Sequence, residues 1–438
     1  MMKRLFFALA AAVTLALPAR AAVEITELTS PGGIDAWLAE DHSLPFTAIE
    51  IRFRGGAALD PDGAEGAVHL MTALLEEGSN GMDAQGFAAT LEGLGARLDF
   101  DSSHDTVAVS ARFLTENRGE SAELLRAALT EPSFAPVAVE RVRGQVLSGL
   151  RSDARDPNAI ASRRFAELAF GDHPYATPAE GTMESVADLS RDDLIAAHEA
   201  ALARDRVYVS AVGDITPDAL GALIDSVLGE LPTTGAPMPE PADIGLTGGL
   251  TVVPFEGPQS VVTFGHKGIA RDDPDFMTAY LMIEVLGGGR FGTRLMHDLR
   301  EERGLTYGVR SYLVPRDLAS TIRGGFSSRN EYVAQAIGLV REEWARMAEE
   351  GLTEQELDEV KTYMTGAYPL RFDGNAQIAR IMVGMQLDDM PVSYIEERND
   401  MVRDVTLDDI RRVAQRLLDP EGLHFVVVGQ PEGMEPGG

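Results

Sequence analysis

PFTAIEIRFRGGAALDPDGAEGAVHLMTALLEEG, residues 45–78, carries three patterns in succession. From Phe46 to Arg54 apolar and polar residues alternate, most cleanly from Ile49 onward, which predicts a strand with one buried face. The Gly, Asp and Pro between Gly55 and Gly66 predict a turn. Residues 68–78, VHLMTALLEEG, return to a 3.6-residue period and predict a short amphipathic helix with His69 on its first turn.

The same succession recurs at residues 258–289, PQSVVTFGHKGIARDDPDFMTAYLMIEVLGGG. A shift of 213 positions places Asp60-Pro61-Asp62 on Asp273-Pro274-Asp275 and Gly55 on Gly268. Each half also closes on a strand ending in glycine, VYVSAVGD at 207–214 and HFVVVGQ at 424–430. Long helical periods lie between, at 120–129, 215–231 and 332–351, and a further helix opens at Thr353 with Glu356 at the third helical position. The expectation is an α+β fold of two homologous domains, each a largely antiparallel sheet packed with helices. The proline- and glycine-rich segment 231–249 reads as the linker, which gives domains at 22–230 and 250–438.

Bulk composition narrows the function. The chain has 438 residues, 45% of them apolar, enough for two real cores. It has no cysteine, which removes disulfides, thiolate metal sites and a cysteine nucleophile together. The net charge of −31 disfavours nucleic acid and anionic membrane surfaces. Residues 1–21 have the parts of a cleaved signal peptide: Lys3 and Arg4, an apolar run from Leu5 to Leu17, and Ala19-Arg20-Ala21 as cleavage site. Export to the periplasm is therefore expected, with no membrane insertion of the mature chain.

His69 poses the chemical question. Two histidines four apart on a helix can hold one zinc, and a glutamate beside the second can act as base toward the metal-bound water. The inverted motif H-x-x-E-H meets that need. Here the five residues are His69-Leu70-Met71-Thr72-Ala73, with Thr72 at the base position and Ala73 at the second ligand. Glu76 and Glu77, placed further along the same helix, do not restore the spacing. HEAAL at 198–202 lacks the second histidine of H-E-x-x-H, and His198 is expected at the surface. The six other histidines, His297 among them, show no metal spacing, and GGGR at 287–290 lacks the frame of a phosphate loop. A second candidate is LGGGRFGTRLMHDLREERGLTYGVRS, residues 286–311. Its Arg300 and Tyr307 can together donate hydrogen bonds to a carbonyl oxygen that turns negative during acyl transfer.

These stretches, with FGDHPYATPAEGTMESVADLSRDDLIAAHEAALARDRVYVSAVGDI and TEQELDEVKTYMTGAYPLR, together resemble the pitrilysin and insulinase family of zinc metallopeptidases, in its short bacterial and mitochondrial-processing-peptidase branch. The resemblance covers essentially the whole mature chain. It implies that His69 stands at the first zinc ligand, with Thr72 and Ala73 replacing base and second ligand. The third ligand, a glutamate about seventy-five residues onward, falls at Ser148-Gly149, where no acid stands in register. It further implies that Arg300 and Tyr307 occupy the pair that grips the substrate backbone and stabilises the intermediate. No cofactor is then expected in this chain. Zinc is expected in a paralogous H-x-x-E-H partner, with which this chain would enclose a chamber for peptides or unfolded polypeptide. The alternative is a non-catalytic scaffold or peptide-binding protein of the same fold.

Overall fold

The computed structural model describes residues 24–434, so the expected signal peptide lies outside the described residues. The first sheet has six strands: β1 (Thr26–Thr29), β2 (Asp35–Glu40), β3 (Phe46–Arg54), β4 (Arg97–Ser102), β5 (Thr106–Leu114) and β6 (Val207–Gly213), in the order β1-β2-β6-β3-β5-β4. The second has β7 (Gly249–Pro254), β8 (Gln259–Lys267), β9 (Thr306–Pro315), β10 (Ser320–Arg329) and β11 (His424–Gly429), in the order β7-β11-β8-β10-β9. Without β1 the two orders are the same. Both sheets are antiparallel except at one pair, β2 with β6 and β7 with β11.

The repeat seen in the sequence is therefore structural. β3 and β8 are nine residues each, and the shift of 213 carries Phe46 onto Gln259 and Arg54 onto Lys267. The expected helices form at Arg118–Thr130, Pro217–Leu228 and Val333–Glu350. Thr353 caps Glu354–Ala367 through a reciprocal box with Glu356, which satisfies donors the helix itself cannot. Residues between Leu228 and Gly249 form neither helix nor strand, but they are pinned to both halves. Gly245 N–H donates to Ala169 O at 2.8 Å and Ala242 N–H to Leu318 O at 2.8 Å.

Each half lends a helix to the other. Pro157–Phe170, from the first half, packs on β8 and β11, while Asn375–Leu387, from the second, packs on β3 and β6. Phe165 is fully buried there, and Gly265 of β8 leaves the room: a Cβ at Gly265 would lie 3.0 Å from the Phe165 ring. On the other sheet Met382 is fully buried, Ser210 Oγ donates to Ala379 O at 2.6 Å, and Gln386 Nε2 donates to Val209 O at 2.9 Å. Glu50 of β3, buried, is bound by Arg52 at 2.7 Å and by Arg380 of the lent helix at 3.5 Å. Full burial of a side chain such as Phe165 stabilises by about 1.5–3 kcal/mol. The two halves are thus joined by core packing, beyond the covalent linker.

Candidate functional site

The first half builds the helix Ala67–Ala73 from its turn upward. Gly55 and Gly56 hold φ of 128° and 42°, and a Cβ on Gly56 would collide with the Ser103 carbonyl. The turn delivers Asp60 beneath the helix start, where its carboxylate accepts from Gly66 N–H at 2.8 Å and Val68 N–H at 2.9 Å. Burial pushes the Asp60 carboxyl up to about 7, against those two donors. Asp60 therefore anchors the segment, a role the sequence reading missed although Asp-Pro-Asp marked the turn.

The zinc positions do not fit zinc. His69 is half-buried, with Nδ1 3.1 Å from Ser102 Oγ. Thr72 is buried and its hydroxyl donates to Val68 O of its own helix at 2.8 Å. Ala73 offers no donor atom. Ser148 and Gly149 lie exposed on the helix Pro136–Asp153, and a Cβ at Gly149 would meet nothing within 4 Å. The helix also stops sooner than its 68–78 pattern predicts. Leu74 N–H turns back to Met71 O and Thr72 O, which leaves Glu76 and Glu77 beyond the last turn. Glu77 is spent on an ion pair with Arg141. Neither glutamate shares a helix face with His69.

Two further histidines correct the sequence reading. His198, expected at the surface, is half-buried, with Nε2 2.7 Å from Leu129 O and its ring edge-on to Phe134. Desolvation lowers its pKa. His297 does have metal-ligand neighbours: donor atoms of His297, Asp298 and Glu302 lie within 4.8 Å of one another. Arg303 at 3.0 Å from Glu302 and Arg346 at 3.7 Å from Asp298 already offset those carboxylates, as in a surface ion-pair network.

The second half presents its residues differently. Arg294 holds the segment to the body, with Nε 2.6 Å and Nη2 2.7 Å from the Glu356 carboxylate. Burial works to raise the Glu356 pKa, but Arg294 and the Thr353 cap override it and bring it down to about 2. Met296–Glu302 then winds as a π-type helix, a form often found at functional sites. Gly304, at φ 62°, ends it. Arg300 stands on this helix with its guanidinium 5.0 Å from the Phe291 ring centre, and Phe291 is 68% exposed.

Tyr307 lies on β9, an edge strand. The pairing of β9 with β10 jumps from Thr306–Ser328 to Val309–Phe326, so Tyr307 and Gly308 together oppose Ser327. This β-bulge is locked by Thr306 Oγ1, which donates toward Ser327 O at 2.7 Å and accepts from Gly308 N–H at 3.2 Å. It breaks the in-out alternation, and Tyr307 stands 89% exposed. The pair expected from the sequence is therefore on one short segment, its tyrosine exposed and its guanidinium resting on an exposed ring. The signal that sequence reading passed over was Phe291, on whose exposed ring the Arg300 guanidinium rests.

Comparison with known proteins agrees with this architecture. Residues 36–183 match the family model described as "Insulinase (Peptidase family M16)", and residues 188–364 match "Peptidase M16 inactive domain". The chain is 27% identical to the "Non-peptidase homolog YmxG" of Helicobacter pylori over 89% of this chain and 90% of that one. It is 25% identical to an uncharacterized zinc protease of Mycobacterium leprae, over 90% and 89%. A crystal structure titled as a peptidase M16 inactive domain, from Pseudomonas fluorescens, superposes with a TM-score of 0.88 at 28% identity, covering 94% of this chain and all of that one. The chain belongs to peptidase family M16, the insulinase and pitrilysin family.

Proposed function

We propose that this chain is the zinc-free subunit of a periplasmic two-chain peptidase, inactive alone, that presents Arg300 and Tyr307 to a paralogous partner bearing H-x-x-E-H. Zinc and the activated water belong to the partner. The part of this chain is to hold a peptide and donate hydrogen bonds to the carbonyl oxygen as it becomes negative. The observation that carries the reading is the contrast within one molecule: the Thr72 hydroxyl is consumed by its own helix, while the Tyr307 phenol is aimed outward by a dedicated bulge.

A second reading, a non-catalytic scaffold or peptide-binding protein, is favoured by the name of the Helicobacter pylori relative. Cleavage of a quenched fluorescent peptide library separates the two. The mature chain is assayed alone and mixed with an H-x-x-E-H paralog. Activity confined to the mixture supports the two-chain reading. A mixture no faster than the paralog alone supports the scaffold.

A further inference from the structure

Beside the bulge lies a cleft of about 510 Å³, walled by β8, β9, β10, the loop before Phe291 and the helix lent by the first half. Its cationic lining is Arg290, Arg310 and Arg323, and the lent helix adds Asn158 and Ser162. Among the described residues no aspartate or glutamate lines it, in a chain with 69 acidic and 38 basic residues. None of the three arginines has a carboxylate oxygen within 4.0 Å among the described residues. Elsewhere the arginines are commonly paired, as Arg294 is with Glu356 or Arg412 with Asp275.

Burying a guanidinium without a counter-charge is costly. Arg323 is packed against the Phe165 and Phe170 rings at 4.7 and 5.8 Å, and its Nε reaches only Thr321 Oγ1 at 3.2 Å. Its Nη2 and the Nε of Arg290 are buried without a hydrogen-bond partner among the described residues. Burial, with Arg316 close by, lowers the Arg323 pKa to about 10. Guanidinium groups desolvated and crowded in this way are stabilised by an anion that takes two parallel hydrogen bonds, which a carboxylate does. Position names the carrier of that carboxylate. Gly308, next to Tyr307, and Phe291, beneath Arg300, both line the cleft.

We propose that this cleft receives a carboxylate of the bound peptide, so that the chain selects acidic or free C-terminal segments and places them beside Arg300 and Tyr307. This deepens the peptide-holding role proposed above and rests on it. The selectivity is local, because the net charge of −31 repels acidic peptides at longer range.

The test uses the full mature chain without a partner and reads binding by fluorescence anisotropy. Three labelled peptides of matched length serve as probes: a free C-terminus without acidic side chains, an amidated C-terminus with glutamates, and an amidated peptide with glutamines in their place. The expected result is binding of one or both carboxylate peptides on the order of tenfold tighter than the neutral one, with Arg310→Gln and Arg323→Gln each removing that preference. Whichever carboxylate peptide binds identifies the source of the group. Arg310 is exposed, so its variant remains informative should Arg323→Gln fail to fold. Equal binding of all three, or a preference that survives Arg310→Gln, overturns the proposal. Because no partner is present, carboxylate selectivity can persist even if the mixture proves inactive, and the two failures are distinguishable.

Discussion

The two halves of this chain repeat one sheet order, and they differ in how the side chains at their candidate positions are engaged. In the first half, His69 and Thr72 are hydrogen-bonded within their own domain, and Glu77 is paired with Arg141. In the second, Tyr307 is 89% exposed, and Arg290, Arg310 and Arg323 have no carboxylate oxygen within 4.0 Å among the described residues. Polar groups satisfied internally stabilise a fold, whereas groups held rigid and unsatisfied are available to a ligand. On the reading proposed above, it is the second half that keeps side chains available to a ligand.

The exchange of helices is the broadest way to challenge this comparison. If the halves are one cooperative body, Phe165→Ala should destabilise by about 3–5 kcal/mol, and hydrogen exchange should accelerate in β8 and β11, across the linker. Met382→Ala should do the converse to β3 and β6. Loosening confined to the half that carries the substitution would mean two independent domains.

The twin Asp-Pro-Asp turns should respond to pH in opposite senses. Asp60 keeps its proton to about 7 when folded, against 3.8 ordinarily. Its advantage to the folded state is full at low pH and is lost as pH rises from about 4 to about 7, roughly 4 kcal/mol at most. Asp275 is held below its ordinary value by hydrogen bonds from Arg412 and Arg416, so its contribution is present above the unfolded pKa and lost as pH falls. Melting temperatures across pH 3–8 should show Asp60→Asn flattening the neutral limb and Arg412→Gln flattening the acid limb. Both variants changing the same limb would break the distinction.

Arg300→Ala tests the open copy. In a mixture with a zinc-bearing paralog it should lower kcat/KM by about 10²–10³-fold, the cost of one oxyanion donor. The smallest effect belongs to the closed copy. Thr72→Val removes one hydroxyl bonded to its own helix, so stability should fall by about 1 kcal/mol and mixture activity should hold. A collapse of activity with Thr72→Val would show that the first copy still takes part.

Much of this was legible in the residues. The 213-residue repeat and the capping box at Thr353 depend on local period and spacing, which sequence carries directly. The bulge at Tyr307 depends on the register of β9 against β10, and the cleft on a helix lent from the other half of the chain, so neither has a local signature. The same limit explains His198, whose partner Leu129 lies on another helix, and the end of the zinc-position helix at Ala73, where the apolar period runs on through the buried Leu74 and Leu75.

The central claim is that chemistry passes through the second copy and not the first. Its most direct measurement is kcat/KM of the mixture with Tyr307→Phe and, in parallel, His69→Ala. The account predicts a loss of about 10²–10³-fold for Tyr307→Phe and a change within about twofold for His69→Ala. Loss of activity with His69→Ala while Tyr307→Phe is unaffected would contradict it.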